Sequence, residues 1–374
     1  MKYIATISLI FMLCSFGGCE KVPSAGARGP IWVTFMSSPG GLVDNQINCI
    51  HVDNQGTVWL GTNQGASGYH NGVWYHLIDS LRYIVGRISI KDTEGTSYDS
   101  VIYGAEVTSI AVAQDGSLLF GLNGGGISRY DQFPPIGTGM NYIWSRFLEP
   151  SLAGNYVYSI VTEHVGSGEV WISSANAGLT QFIPFPDSTS FGAGAWMNYT
   201  AANGDFKWSD VTAIAEDSID NSIWIGINYY GVTTYETENN QWGLAYRLPN
   251  SLSLKVTSIA IDRSELVWVG TSNGVAVFDK SAAKWTAFYS ADSNAEAFAL
   301  PYVYAVTTDA GVSRWFGTDA GLIELFDSRL FLFNQTNSPL PSVHIRALSY
   351  DQKGNLWIGT TNGVAVYNPM GTSL

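Results

Sequence analysis

The chain has 374 residues, of which 13% are charged and 13% aromatic, and its 40 glycines suit a protein made of many short strands and turns. Its formal net charge is −13. A chain this acidic, without a basic run, is unsuited to bind nucleic acid or an anionic membrane surface.

The N-terminus has the pattern of a bacterial lipoprotein signal. Residues 1–18 begin with one basic residue and continue with an apolar stretch that is too short to span a membrane. Gly17, Gly18 and Cys19 resemble a lipobox, which predicts lipidation of Cys19; the alternative is cleavage nearby without a lipid. Residues 19–30 would then be a tether and residues 31–374 the folded domain. We expect an exported protein, anchored by its lipid in the cell envelope, at the outer membrane on its periplasmic or surface side.

One short pattern recurs seven times along the chain. Its last copy, SYDQKGNLWIGTTNGVAVY at residues 349–367, separates apolar runs with the turn sequences DQKG and TTNG, which is typical of a β-meander. The residues at the centre of the middle run are, in chain order, Trp59, Leu119, Trp171, Trp224, Trp268, Trp315 and Trp357. A self-similar β unit with a period of about fifty residues predicts a propeller in which each copy is one blade.

Each copy predicts an antiparallel sheet of four strands. A strand that ends in an aliphatic residue precedes each middle run, and a fourth run with an aromatic residue follows six of the seven copies. These fourth runs are Trp74 to Leu77, Trp144 to Phe147, Trp196 to Tyr199, Trp242 to Tyr246, Trp285 to Phe288 and Leu330 to Phe333. The seventh copy lacks a fourth run, whereas Trp32 to Phe35 provide one at the N-terminus. We predict an all-β fold, a seven-bladed β-propeller of four-stranded antiparallel blades, whose ring is closed by the N-terminal strand. Trp208 is the one tryptophan outside the repeat positions.

The segments VTSIAID, LVWVGTSNGVAVF and KWTAF within residues 256–288 resemble the repeat of the two-component regulator propellers. The resemblance extends over residues 31–370. It implies a propeller of the kind found as a periplasmic sensor region of hybrid sensor kinases in Bacteroidota-like bacteria. We expect a stand-alone protein, because nothing after Tyr367 could form the β-sandwich, membrane helix or kinase of that family.

Two features lie outside the regular repeat. The connection from Asp79 to Glu106 is much longer than the others, and its pattern predicts an additional strand pair. Cys49 occupies a position where other copies have serine or alanine, so we interpret it as a small core residue rather than a reactive thiol. With Cys14 in the signal and Cys19 lipidated, no internal disulfide is expected.

The candidate ligand site comes from two variable positions at the start of each first strand. Regular alternation would place both on one side of the strand, so that seven pairs line one mouth of the central channel. Carboxylates, phenols and cations at these positions would suit a sugar or another polar ligand. The predicted ligand-binding residues are Glu106, Tyr156, Tyr158, Asp210, Tyr302, Tyr304, His344 and Arg346. The alternative, that these are ordinary polar residues at a solvated rim, stays open.

Three function classes follow, in this order of preference. The first is a binding module for a glycan or a peptide, the second a scaffold that docks another envelope protein, and the third an enzyme such as a lyase or glycoside hydrolase. The sequence has no zinc-protease helix, nucleophile elbow or phosphate loop, so we predict no catalytic residues, no metal site and no cofactor. The pair Asp351 and Gly354 is interpreted as hairpin chemistry.

Overall fold

The computed structural model describes residues 30–39, 41–77, 89–91, 97–99, 106–131, 143–148, 150–163, 168–185, 194–204, 206–249, 255–289, 301–309, 313–369 and 371. The predicted signal, Cys19 and all of the tether except Pro30 lie outside these residues. Within the described ranges no helix is long and apolar enough to cross a membrane.

The described strands form seven antiparallel sheets, each of which is one blade, and one small separate sheet. The first strand of the chain is β1 (Ile31–Phe35). Blade 1 contains β2 (Ile47–Val52), β3 (Val58–Thr62), β4 (Gly65–His70) and β5 (Val73–Leu77). The small sheet pairs β6 (Ser89–Lys91) with β7 (Ser97–Asp99). Blade 2 contains β8 (Val107–Val112), β9 (Leu118–Leu122), β10 (Gly126–Asp131) and β11 (Ile143–Phe147). Blade 3 contains β12 (Val157–Thr162), β13 (Val170–Ser174), β14 (Gly178–Pro184) and β15 (Gly194–Tyr199).

The remaining blades repeat this order. Blade 4 contains β16 (Val211–Asp217), β17 (Ser222–Ile227), β18 (Gly231–Glu236), β19 (Gln241–Trp242) and β20 (Tyr246–Arg247). Blade 5 contains β21 (Val256–Ile261), β22 (Leu266–Thr271), β23 (Gly274–Asp279) and β24 (Lys284–Tyr289). Blade 6 contains β25 (Val303–Thr308), β26 (Arg314–Thr318), β27 (Leu322–Phe326) and β28 (Arg329–Phe333). Blade 7 contains β29 (Ile345–Tyr350), β30 (Leu356–Thr360) and β31 (Gly363–Asn368), with β1 as its outer strand.

The ring closes as the sequence predicts. The inner strands β2, β8, β12, β16, β21, β25 and β29 each contact the next one, and β29 contacts β2. Strand β1 pairs with β31 from Ile31 opposite Asn368 to Phe35 opposite Val364. The Trp32 ring lies 4.8 Å from that of Tyr367, centre to centre, which places it in the core of blade 7. The fold prediction is therefore confirmed, including the strand supplied by the opposite end of the chain. The strand pair predicted between residues 79 and 106 is also present, as β6 and β7.

The close approach of adjacent blades depends on a glycine that six of the seven middle strands carry, whereas blade 3 has Ser173 at this position. A Cβ atom added to Gly121 would lie 2.6 Å from Cγ1 of Val157, the first residue of the next inner strand, and Gly359 stands in the same relation to Ile47. Both contacts are closer than a real Cβ atom could make. The absent side chain therefore lets adjacent blades approach, as expected for this position.

The tryptophans at the centres of the middle strands act as wedges between blades, and those of blades 1, 5 and 7 are anchored by an aspartate of the preceding turn. Asp351 Oδ1 accepts hydrogen bonds from the backbone amides of Lys353 and Asn355, and its Oδ2 accepts one from Nε1 of Trp357 at 3.0 Å. Gly354 has a φ of +78°, which a glycine adopts without strain. Asp351 and Gly354 are thus hairpin residues, as predicted, and the aspartate also holds the buried indole in place.

The outer strand of blade 4 differs from its prediction. The sequence predicts one run from Trp242 to Tyr246, but the structure has two short strands, β19 and β20. Residues 243–245 lie opposite only two residues of β18, because Trp242 pairs with Tyr235 and Tyr246 pairs with Val232. The one extra residue breaks the ladder.

Candidate functional site

All seven inner strands have a β-bulge close to their first residue. The register shifts between the first and the third residue of each strand, as between Val303 and Ala305, so that one residue is left out of the pairing. The bulged residues are Asn48, Thr108, Tyr158, Thr212, Thr257, Tyr304 and Arg346. The bulge interrupts the regular alternation that would place the two candidate ligand positions of each blade on one side of the strand. The first of these positions precedes the strand, and the second is the bulged residue, whose side chain is re-aimed by the bulge.

Four of the bulged residues join adjacent blades. Each donates a side-chain hydrogen bond to the backbone carbonyl of the first residue in the next inner strand, as Thr212 Oγ1 does to Val256 at 2.6 Å. The equivalent bonds run from Asn48 to Val107, from Thr108 to Val157 and from Thr257 to Val303. A small polar side chain at the bulge is therefore structural in blades 1, 2, 4 and 5.

The bulges of blades 3, 6 and 7 carry larger side chains, Tyr158, Tyr304 and Arg346. The hydrogen bonds of the described residues include no bond from these three side chains to the next blade. Tyr158 is 44% exposed. These three positions share the backbone of the other four but make no hydrogen bond to the carbonyl of the next inner strand, so their polar groups are not used for that junction.

The structure brings together three of the predicted site residues at blades 6 and 7. The rings of Tyr302 and Tyr304 lie 4.3 Å apart, centre to centre, with their planes inclined by 30°. The guanidinium carbon of Arg346 lies 4.8 Å from the centre of the Tyr304 ring. His344 comes one residue before β29, the strand that carries Arg346, and is exposed. The cluster thus offers a cation and flat aromatic faces, suited to a group that is both ring-shaped and polar.

Tyr156 forms a second exposed aromatic surface, at blade 3. It is 58% exposed, and its ring lies over Gly124 in the turn between β9 and β10 of blade 2. Together with Tyr158 it places two exposed phenols at the start of one strand.

The two predicted carboxylates are each held within their own blade. Glu106 Oε2 accepts a hydrogen bond from Asn123 at 2.6 Å, and Asp210 Oδ2 accepts one from Asn228 at 2.6 Å. Both asparagines open the turn after the middle strand, a role that the sequence did not indicate. Blade 3 lies between the blades that carry the two carboxylates, and each carboxylate is held by an asparagine of its own blade.

The described residues contain no group of three or more histidine, cysteine and carboxylate side chains placed to hold a metal ion. Cys49 follows the bulged residue Asn48 and packs its sulfur against Gly61 of the middle strand. Burial raises the pKa of the Cys49 thiol to about 12, an effect only partly opposed by the backbone of Gly61. The thiol is therefore protonated at neutral pH, in agreement with a small packing residue.

Sequence reasoning missed Tyr229, which is 71% exposed in the turn beside Asp210. The signal was present in the sequence, since this turn reads NYYG where the equivalent turn of blade 2 reads NGGG. The sequence-based prediction considered only the residues at the start of each inner strand and therefore passed over this turn.

Comparison with known proteins supports the repeat and the fold. The model of the two-component regulator propeller family matches residues 41–64 and 339–362, which confirms the predicted resemblance in blades 1 and 7. No curated protein matches the sequence.

Among solved structures, the chain is similar to the extracellular domain assigned to the hybrid two-component system BT3049 of B. thetaiotaomicron, with a TM-score of 0.65 and 16% identity. That alignment covers 89% of this chain but only 42% of the BT3049 chain. The extracellular domain assigned to the one-component system BT4673 of the same organism gives a TM-score of 0.52 at 17% identity, covering 92% of this chain and 51% of that one. Virginiamycin B lyase from Staphylococcus aureus gives 0.61 at 14% identity, covering 91% and 98%. At these identities the likeness shows a shared fold.

Proposed function

Because this chain is a seven-bladed propeller that carries two-component regulator propeller repeats, we propose that it is a non-catalytic module that binds a polar ligand, a glycan or a peptide, at the mouth of its channel. The observation that supports this most is the stack of Arg346, Tyr304 and Tyr302. Two of these residues occupy bulges that other blades use to join neighbours. A side chain released from that structural role and placed at a concave, solvated mouth is suited to recognition.

The proposal includes export and anchoring in the cell envelope through Cys19. The support is the signal pattern of residues 1–18 and the extracellular origin of the BT3049 and BT4673 domains. Cys19→Ser should release the protein from the membrane fraction into the soluble fraction after cell lysis. Retention of the variant in the membrane fraction at the level of the parent would contradict the anchor.

The hydrogen bonds of the two predicted carboxylates favour a non-catalytic role over that of a hydrolase or a lyase. Glu106 and Asp210 each bond an asparagine of their own blade, and a whole blade separates them. Hydrolysis of a glycosidic bond needs two carboxyl groups within about 10 Å of each other, on either side of the bond. The chain is only 14% identical to virginiamycin B lyase, and this similarity concerns the fold alone.

The test is ligand binding by single variants of the mouth. Glycan and peptide arrays, followed by calorimetry on the hits, would give the affinity of the parent. Tyr304→Ala and Arg346→Ala should each weaken binding about tenfold or more, the scale of a desolvated cation–aromatic contact. Arg329→Ala, an exposed arginine at the start of the outer strand of blade 6, is the matched control and should leave the affinity unchanged. Unchanged affinity in both mouth variants would remove the channel mouth as the site.

A further inference from the structure

Tyr229 has a backbone conformation that its residue type does not favour. Its φ is +59°, in the left-handed region where a bulky residue is strained. The equivalent three-residue turns of blades 2 and 3 place Gly124 and Asn176 there, with φ of +81° and +54°, and these are residue types that adopt this conformation readily. With 71% of its surface exposed, the Tyr229 side chain gains little packing that could offset the strain. The fold alone gives no reason for a tyrosine at this position.

Tyr230, the next residue in the chain, belongs to a row of rings and cations that also contains Lys207, Trp208 and Arg247. We call this row, together with Tyr229, the blade 4 platform. The ammonium group of Lys207 lies 4.7 Å from the centre of the Trp208 ring, and that ring lies 5.2 Å from the ring of Tyr230. Arg247 follows, with its guanidinium carbon 5.5 Å from the centre of the Tyr230 ring. Trp208 is the tryptophan that the repeat does not account for.

The platform lies on the same face of the disc as the mouth. Trp208 comes two residues before Asp210, at the start of the inner strand, and the backbone amide of Asn228 donates to the carbonyl of Asp210 at 2.9 Å. Arg247 ends β20 and pairs with Gly231 at the beginning of β18. The platform therefore extends outward from the mouth along blade 4.

The platform carries positive charges, whereas the chain as a whole is negatively charged. In a protein of net charge −13, Lys207 and Arg247 are exposed, and neither forms an ion pair with a carboxylate among the described residues. The carboxylate of Asp210, three residues after Lys207, is held by Asn228. Two cations beside aromatic faces suit a ligand that combines a negative charge with a ring whose C–H face can stack on an aromatic ring, as the ring of a sugar acid does.

We propose that the blade 4 platform is a second subsite, which binds a negatively charged sugar residue by stacking on Tyr229 and by charge-assisted hydrogen bonds from Lys207 and Arg247. This inference rests on the proposed function and specifies its ligand as an acidic saccharide. Such a saccharide would extend from the platform toward the mouth, where Arg346 and Tyr304 present the same combination of cation and ring.

The test uses two probes of the same length, a galacturonic-acid hexamer and its fully methyl-esterified form, with calorimetry on the protein. The parent should bind the acid at least tenfold more tightly than the ester. Tyr229→Asn should weaken binding of the acid about tenfold, while its melting temperature stays the same or rises, because asparagine tolerates this φ. Lys207→Gln combined with Arg247→Gln should weaken the acid and leave the ester unchanged. Lys353→Gln removes an exposed cation from the opposite face and should change neither affinity.

Several results would overturn the subsite. They are equal affinity for acid and ester, full affinity in Tyr229→Asn, absence of binding of the acid to the parent, or tighter binding of hexaglutamate than of the acidic sugar. The proposed function fails separately. If Tyr304→Ala and Arg346→Ala weaken binding of a glycan or peptide while the platform variants do not, the ligand binds at the mouth and the platform is not a subsite. If only the platform variants weaken binding, the platform is the site and the mouth is not.

Discussion

Arg346 of blade 7 lies over the ring of Tyr304 of blade 6, so that two bulged residues touch across a blade boundary. In blade 5 the equivalent residue, Thr257, reaches the backbone carbonyl of Val303 instead. The backbone is the same in both places, but the contact between blades changes from a hydrogen bond to a cation–aromatic stack. The bulge thus gives this fold a position where residue type can vary without a change in the sheet.

The hydrogen bonds at the bulges should contribute measurably to stability. Thr257→Val keeps the shape of the side chain but removes the hydroxyl, leaving the Val303 carbonyl without that donor. We expect a loss of about 1 kcal/mol in the free energy of unfolding, measured by urea denaturation. Thr286→Val is the matched control, because Thr286 makes only a 3.4 Å hydrogen bond on an exposed outer strand. Equal effects of the two changes would argue against a structural role for the bulge hydroxyl.

The wedge tryptophans should be among the most costly residues to truncate. Trp268 is 4% exposed, its ring lies 5.9 Å from that of Phe316 in the next blade, and its Nε1 donates to Asp262 at 3.0 Å. Trp268→Ala should lower the free energy of unfolding by about 3 to 5 kcal/mol through the cavity it leaves. Trp285→Ala, on the half-buried outer strand of the same blade, should cost clearly less. A Trp268→Ala melting temperature within about one degree of the parent would contradict the wedge role.

The architecture was predictable because the same sequence pattern recurs once in every blade. The apolar centre recurs in all seven middle strands and the glycine two residues after it in six, so an irregular copy does not disturb the count. The closing strand followed from the same repetition, since Trp32 to Phe35 match the outer run that the seventh copy lacks, and β1 indeed pairs with β31.

The geometry of the mouth was less predictable, because a bulge adds no visible irregularity when every copy has one. The residues around Tyr304 alternate in the sequence like those of a regular strand, although the register shifts between Val303 and Ala305. The strained φ of Tyr229 is equally invisible, since it depends on the turn that the strands on either side impose. Local chemistry indicated where the polar residues begin, and tertiary structure decided which of them meet.

The stability of the junction between blades 5 and 6 should depend on pH through Asp262. Burial raises the pKa of this carboxyl group, but hydrogen bonds from Arg314, Trp268 and the backbone amides of Leu266 and Ser264 outweigh it, so that the pKa is lowered overall. A carboxyl group whose pKa is lower in the folded state stabilises the fold above its unfolded pKa of about 3.9. That contribution is lost as the pH falls through the folded pKa.

The test compares the free energy of unfolding of the parent with that of Asp262→Asn, by urea denaturation at pH values from 7 down to 3. At pH 7 the variant should be less stable, because Arg314 loses the charged partner that its Nη2 contacts at 2.6 Å. Below about pH 4 the difference should shrink, since the Asp262 carboxyl group binds a proton more readily in the unfolded parent than in the folded one. A difference between the two proteins that is as large at pH 3 as at pH 7 would show that the charge of Asp262 does not stabilise the junction.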